Sequence, residues 1–329
     1  MTAPIISISA LSKRFSRPLD LAERFANLFG AGGQERVVHA LDNIDLDIRP
    51  GEIVGLVGES GCGKSTLGRI VAGINPPTAG SVSFAGKDLA TMPASERLSA
   101  NLAVQMVFQD PMASLNPRLR VLDILTEAPV HHGIVARRDA QALAAQMLQR
   151  VGLDLSMMWR YPHQFSGGQR ARIGIARALC VNPKVLVCDE STAALDVSIQ
   201  AQVINLFMKL RDELDLTYLF VSHDLSVVHH ISDRIAVMYL GRIVELGEAS
   251  TLFENPSHPY TRALIAESPR VTQGRRAFTT IKGEIPSPLN PPSGCHFHPR
   301  CPLAMPRCKV EVPALKRLDT GTVSACHLN

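Results

Sequence analysis

Residues 52–66 read EIVGLVGESGCGKST, a short apolar run that passes directly into a glycine-rich loop. The run predicts a buried strand, and the residues after the loop predict a helix. The loop matches G-x-x-x-x-G-K-[ST] in the strand–loop–helix context that this motif requires. Its glycines let backbone N–H groups wrap around phosphates, and the start of a helix favours anions. We therefore predict that this loop binds the phosphates of a nucleotide.

Individual side chains of the loop have separate predicted roles. Lys64 brings a positive charge to the β- and γ-phosphates, Ser65 offers a hydroxyl to Mg²⁺, and Thr66 bonds the α-phosphate. Cys62 occupies a free position of the motif, and we interpret it as filling space rather than as a redox switch. The whole loop is a candidate ATP-binding segment: Gly58, Glu59, Ser60, Gly61, Cys62, Gly63, Lys64, Ser65 and Thr66.

Polar side chains follow three other apolar strands that the sequence predicts. Asp189 and Glu190 end the stretch VLVCDE, Gln109 follows VQMVF, and His223 follows YLFVS. Asp189 is placed to hold Mg²⁺ through water. Glu190 is placed to polarise the attacking water as a general base. We expect Gln109 to reach the Mg²⁺ or that water, and His223 to contact the γ-phosphate.

A second stretch has the features of a phosphate-binding helix start. It is FSGGQRARIGIARAL, residues 165–179. Ser166 can cap the helix, and Gly167 and Gly168 let a ligand approach the backbone. No lysine stands beside them, so this helix start cannot hold ATP well alone. The chain thus carries two predicted phosphate-binding helix starts, of which only the first is complete.

Composition and charge limit the classes of protein that fit this sequence. A chain of 329 residues, 46% apolar and 19% charged, has room for one large domain and a smaller one. The net charge of +4 is too mild to suggest a nucleic-acid binder. The longest apolar runs, such as IAVMYL at 235–240, have six residues, whereas a membrane span needs ~20. The N-terminus lacks a signal-peptide pattern, so we expect the protein in the cytosol.

Strands alternate with helices along most of the chain, which predicts a mostly parallel sheet covered by helices. A helix-rich block at about residues 110–182 interrupts this alternation as a subdomain. Residues 5–9 predict an edge strand. Four apolar residues at helical spacing predict a short inserted helix: Leu21, Phe25, Leu28 and Phe29. Proline-rich stretches without periodicity predict a boundary near residue 250, which gives domains at 1–250 and 251–329.

The motifs described above occur in the order and spacing seen in ABC-transporter ATPases. Besides the phosphate loop, the resemblance rests on Gln109, FSGGQ, VLVCDE, AALD at 193–196 and His223. It implies an α/β fold of the P-loop NTPase (RecA-like) class. Such a fold has a parallel-sheet core with antiparallel edge strands, an inserted α-helical signature subdomain and, in this chain, a small C-terminal extension.

The resemblance also explains why a second helix start is present. In this family two nucleotide-binding domains dimerise head to tail, and the signature of one closes on the ATP held by the other. The residues implied in that contact are Ser166, Gly167, Gly168 and Gln169. Asp196 would lie at the seam between the two domains. Phe15 matches in position the aromatic side chain that stacks on adenine.

Three further stretches resemble one branch of the family, the ATPases of dipeptide/oligopeptide importers. They are FQDPMASLNPR (108–118), NPSHPYTRAL (255–264) and SGCHFHPRCPLAMPRC (293–308). The resemblance implies ATP-driven import of di- or oligopeptides at the cytoplasmic face of the bacterial inner membrane. The implied partners are a second ATPase subunit (a paralogue or a second copy), two membrane permease subunits and an extracytoplasmic binding protein. Residues 110–118 would transmit the stroke to the permease.

Other functions of the same machinery stay open at this point. Related members carry nickel complexes or glutathione, so the cargo is not fixed by these motifs. A soluble ABC ATPase acting on DNA or ribosomes usually has coiled-coil or zinc-hook insertions, or two nucleotide-binding domains in one chain, which this sequence lacks. An exporter arm is often fused to membrane spans and lacks the HPY stretch.

Four of the seven cysteines cluster near the C-terminus: Cys295, Cys301, Cys308 and Cys326. In a reducing cytosol a late cluster suggests metal more than disulfides. Five, six and seventeen residues separate them, wider than the close pairs of zinc sites, and four thiolates suit a [4Fe–4S] cluster. Some members of the importer branch carry such a cluster, so the resemblance implies one in a structural role. Zinc, with His296, His298 and His327 nearby, and no metal at all stay open.

Overall fold

The computed structural model describes residues 3–17, 36–193, 195–267, 281 and 283–329. The short helix predicted from Leu21, Phe25, Leu28 and Phe29 lies outside these ranges. Numbered along the chain, the strands are β1 (Ile6–Arg17), β2 (Arg36–Ile48), β3 (Ile53–Val57), β4 (Ala79–Phe84), β5 (Lys87–Asp88), β6 (Val104–Val107), β7 (Val185–Asp189), β8 (Thr217–Val221), β9 (Arg234–Tyr239), β10 (Arg242–Glu248), β11 (Lys316–Arg317) and β12 (Val323–Ser324).

The larger sheet has a parallel core. Its order within the described ranges is β11-β12-β10-β9-β3-β8-β7-β6. The strands from β9 to β6 run parallel to their neighbours, whereas β10, β12 and β11 pair antiparallel at one edge. The predicted α/β class, with a parallel core and antiparallel edge strands, is confirmed.

Helices cover this sheet and link its strands. They are α1 (Lys64–Val71), α2 (Ala94–Ala103), α3 (Val121–His131), α4 (Ala140–Arg150), α5 (Gly167–Leu179), α6 (Val197–Leu214), α7 (Leu225–Ile231), α8 (Ala249–Glu254) and α9 (Pro259–Glu267). The predicted helix-rich block is present as α3, α4 and α5. Within it, α4 begins at Ala140 after a short 3₁₀ turn at Arg137–Asp139.

The central strands are buried on both faces because their side chains alternate between two hydrophobic cores. In β7, Val185 and Val187 pack in the core beneath α1 and the smaller sheet. Leu186 and Cys188 pack in the other core, beneath α3 to α7. A strand with apolar residues on both faces reads as a continuous apolar run. This is why VLVC signalled a strand without alternating polar residues.

The smaller sheet is antiparallel and has the order β2-β1-β4-β5. β1 pairs with β2 on one side and with β4 on the other. The prediction of an edge strand at residues 5–9 is therefore wrong, since β1 is an interior strand. Alternation of apolar residues reports which face of a strand is buried, but it carries no information about the number of neighbouring strands.

The C-terminal segment, which comprises the described residues after residue 250, is attached to the larger sheet by backbone pairing. β12 pairs with β10, and β11 pairs with β12. Tyr260 on α9 and Phe297 also contribute to the core beneath the helices. Within the described ranges, no helix combines the length and the apolar character that a bilayer crossing requires.

Phe207 on α6 provides a test of the core beneath the helices. Its side chain is 1% exposed, and its ring meets Tyr218 and Phe220 edge-on, with centroids 5.8 and 5.9 Å apart. We expect Phe207→Ala to lower the free energy of unfolding by about 3–5 kcal/mol, because it leaves a cavity. Urea unfolding measures this change. The control Leu98→Ala, at an exposed position, should alter the free energy by less than about 0.5 kcal/mol, and equal effects would contradict this packing.

Candidate functional site

The phosphate loop joins β3 to α1 in a backbone conformation that requires glycine. At Gly63 φ is +108°, in the region that L side chains rarely adopt. A Cβ at this position would lie 2.4 Å from the carbonyl oxygen of Ala40, so no side chain fits. α1 starts directly after Gly63, and the amides of its first turn have no carbonyl partners within the helix. The loop therefore presents backbone donors to an anion.

Lys64 is the first residue of α1 and lies inside the loop. Its side chain is 4% exposed. The Nζ atom donates to the carbonyl oxygens of Gly58 and Glu59 at 2.8 and 3.1 Å. The ammonium is thus held by carbonyl oxygens of the loop itself, and its contact with phosphates stays a prediction.

Ser65 and Asp189, the two residues predicted to hold Mg²⁺, lie in contact with each other. Asp189 ends β7, and the hydroxyl of Ser65 donates to its Oδ1 at 2.7 Å. Burial raises the pKa of Asp189, and the hydrogen bond from Ser65 opposes that rise. A hydroxyl oxygen beside a carboxylate is the kind of donor set that Mg²⁺ uses in nucleotide sites. The structure thus brings together two residues that lie far apart in sequence.

Glu190 has an unusual backbone that aims its carboxylate at two other predicted residues. Its φ is +45°, and its amide donates to the carbonyl oxygen of Val221 at 2.9 Å. Gln109 Nε2 donates to Glu190 Oε2 at 2.9 Å, and His223 Nδ1 lies 3.5 Å from the same oxygen. Residues held in the left-handed region without being glycine concentrate at functional sites.

A cavity of about 340 Å³ opens beside the loop. Most of its lining was predicted from sequence: Phe15, Ser60, Gly61, Gly63, Lys64, Ser65, Thr66, Gln109 and Glu190. Three lining residues were missed, namely Val38, Ala40 and Pro288. Val38 lies beside Phe15 in the β1–β2 pair, a long-range pairing that no motif marks.

Three residues of the predicted loop set do not line this cavity: Gly58, Glu59 and Cys62. Glu59 does not belong to its lining, and its side chain and amide both bond to the C-terminal segment. Cys62 is 4% exposed and packs in the core shared with the smaller sheet. The neighbouring Lys64 reaches Cys62 Sγ at 3.9 Å. Burial raises the pKa of the Cys62 thiol, which keeps the thiol protonated.

The signature stretch caps α5 at the protein surface. Ser166 Oγ accepts from the amide of Gln169 at 3.3 Å, and Gln169 Oε1 accepts from the amide of Ser166 at 3.0 Å. Ser166 and Gly167 are exposed, and neither lines the cavity beside the phosphate loop. A Cβ at Gly168 would lie 2.5 Å from Ile199 Cγ2, so glycine is needed where α5 meets α6. Asp196 is likewise exposed, at the start of α6.

The four late cysteines line one small cavity in the C-terminal segment. This cavity is lined by Cys295, Cys301, Cys308 and Cys326, together with His258, His298 and His327. Burial raises the pKa of Cys295 to about 11, and the other three thiols add to the rise. Burial likewise raises the pKa of Cys301 and Cys326. His296 is not part of this lining and bonds to the carbonyl oxygen of Leu240 through Nδ1 at 3.0 Å. In the described ranges, no three His, Cys, Asp or Glu side chains meet closely enough to hold a metal ion.

Contacts between the C-terminal segment and the phosphate loop were not predicted from the sequence. Arg300 bonds to the carboxylate of Glu59, and the hydroxyl of Tyr260 bonds to its amide. Both residues lie in stretches that the sequence singled out as characteristic of a branch. Their targets could not be read from the sequence, because 201 and 241 residues separate the partners.

The comparisons with known families and relatives agree with this geometry. Residues 41–193 match the family described as ABC transporter, and residues 244–308 match the C-terminal region of oligopeptide/dipeptide transporters. The oligopeptide transport ATP-binding protein AppF of Bacillus subtilis is 51% identical over 296 residues, 88% of this chain and 90% of that protein. The di/tripeptide transport ATP-binding protein DppF of Pseudomonas aeruginosa is 49% identical over 291 residues, 88% of this chain and 90% of its own.

Solved structures of ATP-binding cassettes share the fold. A dimeric post-hydrolysis structure of the cassette MJ0796, bound to ADP and Pi, has a TM-score of 0.63 and 26% identity, over 74% of this chain and 98% of that one. The structure of cbiO1 from Clostridium perfringens, part of the ABC transporter complex cbiONQ, has a TM-score of 0.63 and 26% identity, over 77% of this chain and 92% of that one. The chain therefore belongs to the ABC transporter family and, within it, to the oligopeptide/dipeptide transport ATP-binding proteins.

Proposed function

We propose that this chain hydrolyses ATP to drive the import of di- or oligopeptides. The observation that carries the proposal is the group of side chains around one edge of the larger sheet. Lys64 bonds within the phosphate loop, Ser65 bonds to Asp189, and the carboxylate of Glu190 lies against Gln109 and His223. The names of the relatives, which are oligopeptide and di/tripeptide transport proteins, support peptides as the cargo.

The proposed roles follow from the chemistry of the side chains and from their proximity to one another. Ser65 and Asp189 would hold Mg²⁺, the hydroxyl directly and the carboxylate through water. Glu190 accepts a proton from the attacking water, while Gln109 orients that water or the metal. His223 donates to the γ-phosphate. Phe15 stacks on the adenine, since it lines the same cavity as the phosphate loop and is 42% exposed.

The signature is proposed to act on the ATP of a second ATPase subunit, which is a second copy or a paralogue. Its residues, Ser166, Gly167, Gly168 and Gln169, form an exposed helix start that is separate from this chain's own phosphate cavity. Asp196, also exposed, lies at the seam. ATP bound between the two subunits joins them, and hydrolysis releases them.

Two membrane permease subunits are proposed as the partners that receive this motion, with an extracytoplasmic binding protein delivering the cargo. The protein then works at the cytoplasmic face of the bacterial inner membrane. Asp110–Arg118 is the proposed contact, because it follows Gln109 and exposes side chains such as Met112, at 44%. Residues 1–250 form the ATPase domain and 251–329 the extension. Nickel complexes or glutathione are alternative cargoes of the same machinery.

The C-terminal cysteines are proposed to hold an iron–sulfur cluster. All four thiols line one cavity, and burial keeps Cys295 protonated until a metal ion displaces the proton. His258 lines the same cavity and is 1% exposed. Its Nδ1 accepts from the amide of Tyr260 at 3.0 Å, which leaves the proton of the neutral ring on Nε2.

His258 Nε2 supports the presence of a bound group in this cavity. Burial lowers the pKa of His258 to about 4, and the nearby backbone of Ala325 opposes that shift. Within the described ranges, Nε2 has no hydrogen-bond partner of normal geometry. A buried donor of this kind fits a sulfur acceptor in the cavity, since hydrogen bonds to sulfur are common around such clusters. Bound there, a cluster would supply a covalent brace between the 295–308 loop and Cys326.

Glu190→Gln tests the proposed general base. We expect the rate of ATP hydrolysis to fall by ~10²–10⁴-fold while ATP binding is retained, because the amide cannot accept the proton from water. Steady-state phosphate release and ATP titration measure the two quantities. Glu213→Gln, at a half-exposed surface position on α6, is the matched control and should hydrolyse normally. Near-normal turnover by Glu190→Gln would refute this role.

Gly167→Asp tests the second half-site. An added Cβ would meet Leu195 Cδ2 at an ordinary 3.6 Å, so the variant should fold. The new carboxylate at the start of α5 should repel the γ-phosphate and lower hydrolysis by roughly 10²-fold or more, the effect of losing one stabilising donor. ATP binding to the separated chain should not change. The control is Gly174→Ala on the same helix, where the space is open, and wild-type hydrolysis by Gly167→Asp would contradict the proposal.

Metal analysis of anaerobically purified full-length protein tests the cluster. We expect about four iron and four sulfide per chain, with broad absorption near ~400 nm. Cys301→Ser should lower both contents, whereas Cys180→Ala, whose thiol lies in the core outside this cavity, should not. One zinc per chain without iron would show that the cysteines form a zinc site and would refute the cluster. Metal-free protein that still binds ATP would refute a metal at these cysteines.

A further inference from the structure

The C-terminal segment forms hydrogen bonds to Glu59 in the phosphate loop. Arg300 Nη1 donates to Glu59 Oε2 at 2.6 Å, and Nη2 donates to Oε1 at 2.9 Å. The two contacts form a bidentate pair, the strongest geometry available to an arginine and a carboxylate. The Arg300 side chain is 5% exposed and that of Glu59 is 19% exposed. The pair is therefore shielded from solvent, unlike an ordinary surface ion pair.

A second contact holds the backbone of the same residue. The hydroxyl of Tyr260 accepts a hydrogen bond from the amide of Glu59 at 2.9 Å. The Tyr260 side chain is 0% exposed, and its ring packs 4.7 Å from that of Tyr239 and 5.3 Å from that of Phe297, centroid to centroid. Aromatic packing thus fixes the position of the hydroxyl. Both the carboxylate and the amide of Glu59 bond to the C-terminal segment.

Glu59 lies where a small displacement would disturb the phosphate site. It is the second residue of the phosphate loop, and its carbonyl oxygen accepts from Lys64 Nζ. Gly58, whose carbonyl also accepts from Lys64, directly precedes it. The chain of contacts therefore runs from Arg300 and Tyr260, through Glu59, to the lysine that carries the positive charge of the site.

Such contacts affect nucleotide binding because a glycine-rich loop is flexible on its own. A loop with several glycines samples many conformations when free, and ordering it on binding lowers the affinity for the ligand. Contacts that hold the loop before the nucleotide arrives remove part of that loss. The bonded amide of Glu59 is no longer free for phosphate, so the cradle is formed by the amides that follow it.

We propose that Arg300 and Tyr260 are positioning residues of the ATP site, which hold the phosphate loop in its nucleotide-binding conformation. This inference rests on the ATP site proposed above. Arg300 lies between Cys295 and Cys301, so the order of the cysteine loop and the affinity for ATP are coupled. Because such coupling is reciprocal, bound ATP in turn stabilises the C-terminal segment.

The test compares full-length variants in ATP titrations by calorimetry and in steady-state hydrolysis. Arg300→Met should raise the Kd for ATP roughly 10- to 100-fold, the range of a lost charge-assisted hydrogen bond. Tyr260→Phe removes one oxygen and keeps the packed ring, so it should raise the Kd roughly 2- to 10-fold. In both variants KM should rise while kcat at saturating ATP stays near wild type, and the melting temperature without nucleotide should fall by no more than a few degrees, too little to unfold the protein at the assay temperature. If Arg300→Met does not fold, the Kd of Tyr260→Phe alone tests whether the contacts to Glu59 position the ATP site.

Two further variants separate a positioning role from general packing. Arg300→Lys keeps the charge but loses the bidentate geometry, so its Kd should lie between those of wild type and Arg300→Met. Arg307→Met is the matched control, because Arg307 lies in the same segment but its side chain is 60% exposed and pairs with Glu311. Its Kd should equal that of the wild type. The double variant Glu59→Gln/Arg300→Met should bind ATP no more weakly than Arg300→Met alone, since the two groups act as one pair.

Three outcomes would overturn the inference. Wild-type ATP affinity in both Tyr260→Phe and Arg300→Met would refute it while leaving the ATP site intact. A fall in the nucleotide-free melting temperature that accounts for the whole loss of affinity would also refute it, because the contacts would then be general packing. A wild-type chain that binds no ATP would refute the proposed function, and this inference with it.

Discussion

The parallel alignment of β3, β6, β7 and β8 is the constraint on which the rest of this structure depends. Parallel strands end at the same edge of a sheet, so the residues that follow them must meet. The phosphate loop follows β3, Asp189 ends β7, Gln109 follows β6 and His223 follows β8. The two hydrophobic cores on either face of the sheet fix this alignment. Catalytic geometry is therefore a consequence of strand pairing.

The signature helix start lies apart from the cavity beside the phosphate loop. The edge of the larger sheet carries the phosphate loop, whose Ser65 bonds to Asp189, and next to Asp189 the carboxylate of Glu190, which bonds to Gln109. The signature helix α5 belongs to the helical subdomain, and its exposed start is held by an internal capping box rather than by this site. A helix start that is capped and exposed is free to meet an anion brought by another subunit. ATP in such an arrangement would be bound from two sides.

The C-terminal segment joins the ATPase core by three kinds of interaction. Backbone pairing of β12 with β10 extends the sheet, aromatic packing of Tyr239, Tyr260 and Phe297 fills the core beside it, and the bonds to Glu59 reach the phosphate loop. All three constrain the backbone of the same segment. The segment that carries the cysteines is consequently in direct contact with the nucleotide site.

Local residue patterns were sufficient to predict the α/β class, the phosphate loop and most of the residues around it. The loop motif, the strand-end carboxylates and the signature each depend on neighbours in the sequence, so their local structure follows from short-range physics. The interior position of β1, which was expected at an edge, depended on pairing with two distant strands. The same holds for the contribution of Val38, Ala40 and Pro288 to the cavity.

The sequence by itself thus determined which residues are candidates for the chemistry, because charge, hydroxyl and glycine are properties of single positions. Only the tertiary structure decided what those residues touch. Glu59 appears in the sequence as one more residue of a phosphate loop, yet the fold turns its carboxylate toward Arg300 and its amide toward Tyr260. Contacts across 201 and 241 residues are set by packing and strand order, and no local pattern contains that information.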